Sequence, residues 1–106
     1  MIHLNREVKW IYREEGSSTV QSQSMYAAVF PVSSRQYDAL HAQDVWTTVR
    51  FTVRFSDYLW NNLKYYQQIE YRGHRYRILD MIEDGDAREF ITIVGDVVWR
   101  EMGSVI

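Results

Sequence analysis

One stretch, Val45-Trp46-Thr47-Thr48-Val49-Arg50-Phe51-Thr52-Val53-Arg54-Phe55, constrains the fold more than any other part of the chain. Its odd positions hold Val, Thr or Phe, and its even positions hold Trp, Thr or Arg. Side chains alternate between the two faces of a strand, so Val45, Val49, Phe51, Val53 and Phe55 are predicted to line one buried face. Arg50 and Arg54 then point the other way, towards water or a partner. Helical spacing would gather Val49, Val53 and Arg50 on one side and leave Phe51 stranded opposite. The run is also longer than the usual strand of about five or six residues. In a small domain such a strand crosses a whole barrel or bends from one sheet to another.

Length and charge narrow the field. The 106 residues read as one domain spanning 1–106, with 1–5 and 100–106 as flexible tails. With no cysteine there is no disulfide framework, thiolate nucleophile or cysteine zinc site. A net charge of −2 argues against a general nucleic-acid-binding module, whose affinity comes from excess Lys and Arg facing phosphates. The sequence has no run of eighteen apolar residues, and Met1-Ile2-His3-Leu4-Asn5-Arg6-Glu7 does not read as a signal peptide. A soluble chain made in the cytoplasm, without membrane contact, is the expectation.

Taken in order, Arg6 to Arg13 alternates, with Val8, Trp10 and Tyr12 on one side, and reads as a first strand. Glu14 to Ser24 is small, polar and almost without apolar anchors, and predicts a mobile loop. Met25 to Val32 reads as a second strand that Pro31 ends or confines to an edge. Ser33 followed three residues later by Gln36 has the form of a capping box, which predicts a helix to about Gln43 with a thin stripe of Tyr37, Ala39 and Leu40. After the long strand, Ser56 to Gln67 is too aromatic for a solvated loop and predicts a short helical turn packed on the barrel or on a partner. Gln68 to Tyr71, Arg72-Gly73 and His74 to Leu79 predict a hairpin with a two-residue turn, pairing Glu70 with Arg75 and Ile69 with Tyr76. Glu83 to Arg88 reads as the next turn and Glu89 to Trp99 as a final strand, apolar on both faces and so covered on both. About six strands, antiparallel where connections are short, with one short inserted α-helix, predict a mainly β fold: a small antiparallel β-barrel.

Chemistry is hard to find in these residues. His3, His41 and His74 fall on different elements without ligand spacing, and no cysteine supplements them. The turn Glu83-Asp84-Gly85-Asp86 lacks the alternating oxygen ligands of a calcium loop and reads as a plain Asp-Gly turn. No phosphate loop or nucleophile motif is present. Neither a cofactor, a bound metal nor catalytic activity is expected. Trp46, Tyr58, Trp60, Tyr65, Tyr66, Arg50 and Arg54 would suit a platform for stacking single-stranded nucleic acid. The acidic balance opposes that, and core or subunit-interface roles fit these residue types better.

Several stretches, taken together, form a pattern. Ala28-Val29-Phe30-Pro31-Val32-Ser33-Ser34-Arg35-Gln36-Tyr37, then Leu40-His41-Ala42-Gln43, resembles the Val-x-Pro-apolar-Ser-x-x-Glu/Gln-Tyr … Ala-Gln stretch of the bacteriophage head–tail joining family, the head-closure or stopper proteins. Val49 to Phe55 resembles the family's long strand, and Ile69 to Ile78 its Ile-x-Tyr-x-Gly-Arg-x-Tyr/Phe-x-Ile hairpin. Asp84 to Ile93 resembles its last turn and strand. The resemblance covers about residues 25 to 95, and its force lies in the order and spacing of the pieces. It departs at Val8 to Ser24, which match the family's first strand and loop poorly. Ser56 to Gln67 is more aromatic than the family's short loop.

The resemblance implies a homo-oligomeric ring of small barrels in the virion neck. The portal–adaptor ring would lie above and the tail terminator or tail tube below, with phage DNA passing through the lumen without sequence-specific binding. The segment Ser33 to Thr48 would face and gate the channel, which singles out Ser33, Ser34, Arg35, Gln36, Tyr37, His41, Gln43, Asp44 and Trp46, with Trp46 and Thr48 as its hinge. Contacts with neighbouring subunits or rings would fall on Arg50, Arg54, Tyr58, Trp60, Tyr65, Tyr66 and Trp99. Two other readings stand beside it: a tail-completion ring one level lower, and the aromatic single-strand-binding barrel.

Overall fold

The computed structural model describes residues 3–13, 16, 18–36, 44–84 and 89–98. Among them six antiparallel strands close into one barrel: β1 (Arg6–Arg13), β2 (Val20–Gln36), β3 (Asp44–Arg54), β4 (Gln68–Tyr71), β5 (His74–Asp84) and β6 (Phe90–Val97). Their order around the wall is β1-β2-β3-β6-β5-β4. A short helix, α1 (Asp57–Asn62), lies between β3 and β4. No helix among the described residues is long and apolar enough to cross a membrane.

The alternation read from the sequence sets the core. On β3, Val49, Phe51 and Val53 are buried while Arg50 and Arg54 are exposed. Val8 and Trp10 of β1 and Ile91 and Ile93 of β6 meet them inside. Phe51 packs edge-on against both Tyr71 and Tyr76, with centroids 6.1 and 5.5 Å apart. Each such apolar side chain contributes roughly 1.5–3 kcal/mol by leaving water. Gly95, opposite Ile78 on β6, makes room for this cluster: a Cβ there would stand 2.9 Å from Cβ of Tyr76.

Strand β2 carries the barrel's tilt. Its residues Val20 to Ala27 pair with β1, and Ala27 to Gln36 pair with β3, so Ala27 alone is bonded on both sides. Such a stagger between neighbours is what closing a sheet of so few strands demands. The polar run before Met25 is therefore only partly a loop. Val20 to Ser24 belong to the strand because Arg13 to Lys9 of the amphipathic β1 supply a ladder for their backbone. Residues 14, 15 and 17 lie outside the described residues.

The helix expected from Ser33 is also corrected. Ser33 to Gln36 continue β2, with register shifts at Ser33 that absorb Pro31. Ser33 Oγ lies 2.8 Å from Thr47 Oγ1 across the ladder, where a capping residue would bond its own backbone. The Ser-x-x-Gln pattern is compatible with either conformation, and pairing with β3 decides between them. Residues 37–43 lie outside the described residues. Glu83 and Asp84, expected in a turn, instead extend β5.

Two further expectations agree with the structure. The hairpin pairs Glu70 with Arg75 and Ile69 with Tyr76. Its turn residues Arg72 and Gly73 both have positive φ, 54° and 79°, as a type I′ turn requires. The aromatic stretch after β3 holds α1, capped by Ser56, whose side chain accepts from the Leu59 N–H at 3.1 Å. Leu59 and Leu63 turn inward and join the core.

Candidate functional site

Two features stand out from the closed wall: a projecting ribbon and a set of uncovered apolar surfaces. The ribbon follows from unequal pairing. Strand β3 is bonded to β6 only from Thr48 onward, whereas its ladder with β2 continues down to Gln36–Asp44. Among the described residues, Ser34 to Gln36 and Asp44 to Trp46 therefore form a two-stranded extension with no third strand beside it. Of the residues expected to face a channel, Ser34, Arg35, Gln36, Asp44 and Trp46 lie on this ribbon, and Ser33 lies at its base. Tyr37, His41 and Gln43 fall among the residues outside the described set.

The base of the ribbon is anchored. Alternation predicted Trp46 on the outer face with Arg50 and Arg54. Instead it packs against the core, stacked on Tyr71 with centroids 6.1 Å apart and planes at 23°. The guanidinium of Arg72 lies 5.5 Å from the Trp46 ring centre and 5.4 Å from that of Tyr71. Thr48 Oγ1 donates to Asp96 Oδ1 at 3.4 Å. The hinge expected at Trp46 and Thr48 is thus where the ribbon leaves a well-packed floor. That floor also holds Tyr76, whose hydroxyl is pushed up to about 12 by burial and by the neighbouring Tyr71.

The outer wall is unusually apolar. Tyr26, Phe30 and Val32 of β2 and Leu79 and Ile82 of β5 are each about half exposed or more. Arg50 and Arg54 of β3 lie between these strands, and Arg54 rests 5.7 Å from the Phe90 ring. A cross-strand row of Ala28, Thr52, Thr92 and Ile82 runs through the surface. Its first three members are short and are shielded by taller neighbours, so two outward-facing threonines are nonetheless buried. Sequence reasoning named the two arginines but not Tyr26, Phe30, Val32, Leu79 or Ile82. The available signal was that β2 is apolar at successive positions, with Tyr26 beside Ala27 and Val29 beside Phe30.

The remaining interface candidates gather at the rim near α1. Tyr58, Tyr65 and Tyr66 are exposed, while Trp60 is half-buried beside Phe55. Trp99 lies outside the described residues. A cleft of about 430 Å³ separates α1 from β2, bordered by Trp10, Met25, Arg54, Tyr58 and Leu59. The aromatics proposed for nucleic-acid stacking are dispersed: Trp46 on the ribbon floor, the tyrosines at the opposite rim, the arginines on the outer wall. Among the described residues, no three His, Asp or Glu side chains come together in a way that would hold a metal ion.

A small barrel whose surface is given over to a ribbon and to uncovered apolar patches has the build of a structural assembly module. The chain belongs to the phage head completion protein family, whose model matches residues 12–98. Its role is accordingly structural, in completing the phage head, and it is a component of the virion. Among solved structures it is similar to a chain of the virion of a native gene transfer agent particle, with a TM-score of 0.58 and 17% identity. That likeness covers 92% of this chain and 98% of the other, and it concerns the fold. No curated protein matches the sequence.

Proposed function

We propose that copies of this chain assemble into a ring in the neck of the virion, between the portal–adaptor ring and the tail. The projecting ribbon carries the reading. Ser34 to Gln36 and Asp44 to Trp46 leave the barrel as a two-stranded arm anchored at Trp46, and an arm of that kind can enter the lumen of a ring and narrow the DNA exit channel. The exposed apolar wall supports assembly, since surface of this kind is normally covered by a partner. A net charge of −2, with no basic stripe, suits a channel through which DNA must slide. No bond is made or broken in this mechanism; it consists of docking and mechanical closure.

Electron microscopy of the chain with and without purified portal–adaptor complexes is the test. Rings at the portal end of the neck support the proposal. Docking only on tail ends marks a tail-completion ring instead. A chain that stays monomeric and docks on neither overturns both.

A further inference from the structure

We propose that the β-bulge on β5 of one subunit plugs an aromatic, basic groove beside α1 of a second copy of this chain, joining subunits head to tail. This inference rests on the ring reading and names the surfaces that would build the ring.

The plug is a consequence of register. Ile78 pairs with Gly95 and Asp80 with Val94, so Leu79 is an extra residue with no partner position on β6. A bulge re-aims the side chain at that point. Leu79 is 48% exposed, and Ile82 beside it is equally so. Asp80 stands between them, its Oδ1 accepting from the Met81 N–H at 2.9 Å, which fixes the carboxylate at the crest of the bulge. From Leu79 to Asp84 the chain carries Asp80, Glu83 and Asp84 and no Lys or Arg. Among the described residues, Arg77 on the same strand faces Asp96 at 3.7 Å, and Arg50 lies beyond Val94.

The socket lies at the barrel rim. Strand β1 pairs with β4 only from Lys9 to Ile11, so Tyr12 and Arg13 run on past Gln68, the first residue of β4. Between them and the chain after α1 is a groove of about 240 Å³ with Tyr12, Tyr58 and Tyr66 on its walls. It is smaller than the usual small-molecule pocket of roughly 300–1,000 Å³ and suits one or two protein side chains. Among the described residues lining it, the charged ones are Arg13 and Lys64. Lys64 Nζ donates to the Asn61 carbonyl at 3.0 Å, which holds the ammonium at the groove. Glu14 and Glu15, next along the sequence, lie outside the described residues.

An apolar plug crested by a carboxylate therefore matches an aromatic socket edged by an ammonium. The two lie on different surfaces of one subunit, the wall of β5 and the rim beside α1. Such a contact is heterologous: every added subunit leaves a free plug at one end and a free socket at the other, until a ring closes.

Charge reversal tests the pairing. The variants Asp80→Lys and Lys64→Glu change exposed side chains and are expected to keep the wild-type thermal transition. Each alone is expected to need at least about tenfold more protein to assemble, as read by sedimentation velocity and microscopy under the conditions that give wild-type rings, alone or on portal–adaptor complexes. Mixed in equal amounts they regain assembly. The lysine introduced into the plug of one variant then meets the glutamate introduced into the socket of the other, and the native Asp80 and Lys64 meet at the alternate contact. Leu79→Ser, which removes the apolar part of the plug and leaves the charges, is expected to weaken assembly too. Rings formed by any of the three variants at wild-type concentration, or no rescue on mixing, overturn this inference and leave the ring reading standing. A wild-type chain that never exceeds a monomer overturns the ring reading and this inference with it.

Discussion

Trp10 Nε1 donates to Gln67 Oε1 at 2.8 Å, joining two residues 57 positions apart inside the barrel. The same oxygen accepts from the Lys64 N–H at 2.8 Å, and Gln67 Nε2 donates to the Asn62 carbonyl at 3.0 Å. One buried amide thus ties the irregular segment after α1 to the largest side chain of the core. Gln67→Leu keeps the apolar volume but strands the indole N–H and two backbone groups. Equilibrium urea unfolding is expected to show a loss of about 2–3 kcal/mol, since buried polar groups without partners cost roughly 1–3 kcal/mol each.

Gly95→Ala places a methyl group 2.9 Å from Cβ of Tyr76 and 3.4 Å from the Phe51 ring. Neither neighbour is the free end of a flexible side chain, so the strand must shift. The cost expected for overpacking is about 1–3 kcal/mol. Differential scanning calorimetry should record a fall in Tm on the order of 4–8 °C per kcal/mol for a domain of this size.

Tyr76 sets an alkaline limit. Its hydroxyl ionises near 12 in the fold and near the ordinary value of 10 in the unfolded chain. The folded state therefore holds the proton more tightly, and the stability this contributes is fully present below pH 10 and is lost as pH rises through 12. A plot of Tm against pH should bend downward in that window, and Tyr76→Phe should flatten the bend.

At Arg72 two effects oppose each other. Arg72→Gly relieves a side chain held at φ 54° and removes the cation lying over Trp46 and Tyr71. Each effect amounts to about 1 kcal/mol, so the net stability change is expected to be under about 1 kcal/mol. The near-ultraviolet circular dichroism from Trp46 should change nonetheless, because the ring loses one of its two stacking neighbours. A large drop in stability with no spectral change would contradict this account of the ribbon floor.

Replacing residues 37–43 by a glycine–serine linker of equal length separates fold from gate. The described ladders close the barrel without residues 37–43, so its Tm should move by no more than about 2–4 °C. On the proposed gating role, filled heads completed with this variant should leak DNA in a nuclease-protection assay. Wild-type retention would count against the gate.

Legibility differed along the chain for physical reasons. Where a strand alternates on its own, as at Val8 to Tyr12 and Val49 to Val53, the pattern reports the inward set directly, although Ile11 and Thr52 on the outward register are buried too. The Arg72-Gly73 hairpin was legible because turn chemistry is local. Val20 to Ser24 carry no apolar alternation beyond Val20 itself, and their strand exists only because β1 lies alongside. Ser33 and Gln36 spell a helix start that cross-strand pairing overrides. Trp46 sits on the outward register of β3 yet turns in, because its ladder with β2 slips by one residue at Thr47, which reverses the face beyond it.

Periodicity, turn chemistry and charge, then, determined by themselves an antiparallel barrel built around the long strand β3, and the order of short motifs pointed to a head-joining role. Those signals act over neighbouring residues, where side-chain alternation and φ preference operate. Tertiary structure alone decided which residues of β2 pair with β1 and which with β3, where the ribbon leaves the wall, and how the bulge at Leu79 exposes an apolar crest. These depend on which backbone groups find partners after the sheet closes, and closure is a property of all six strands together.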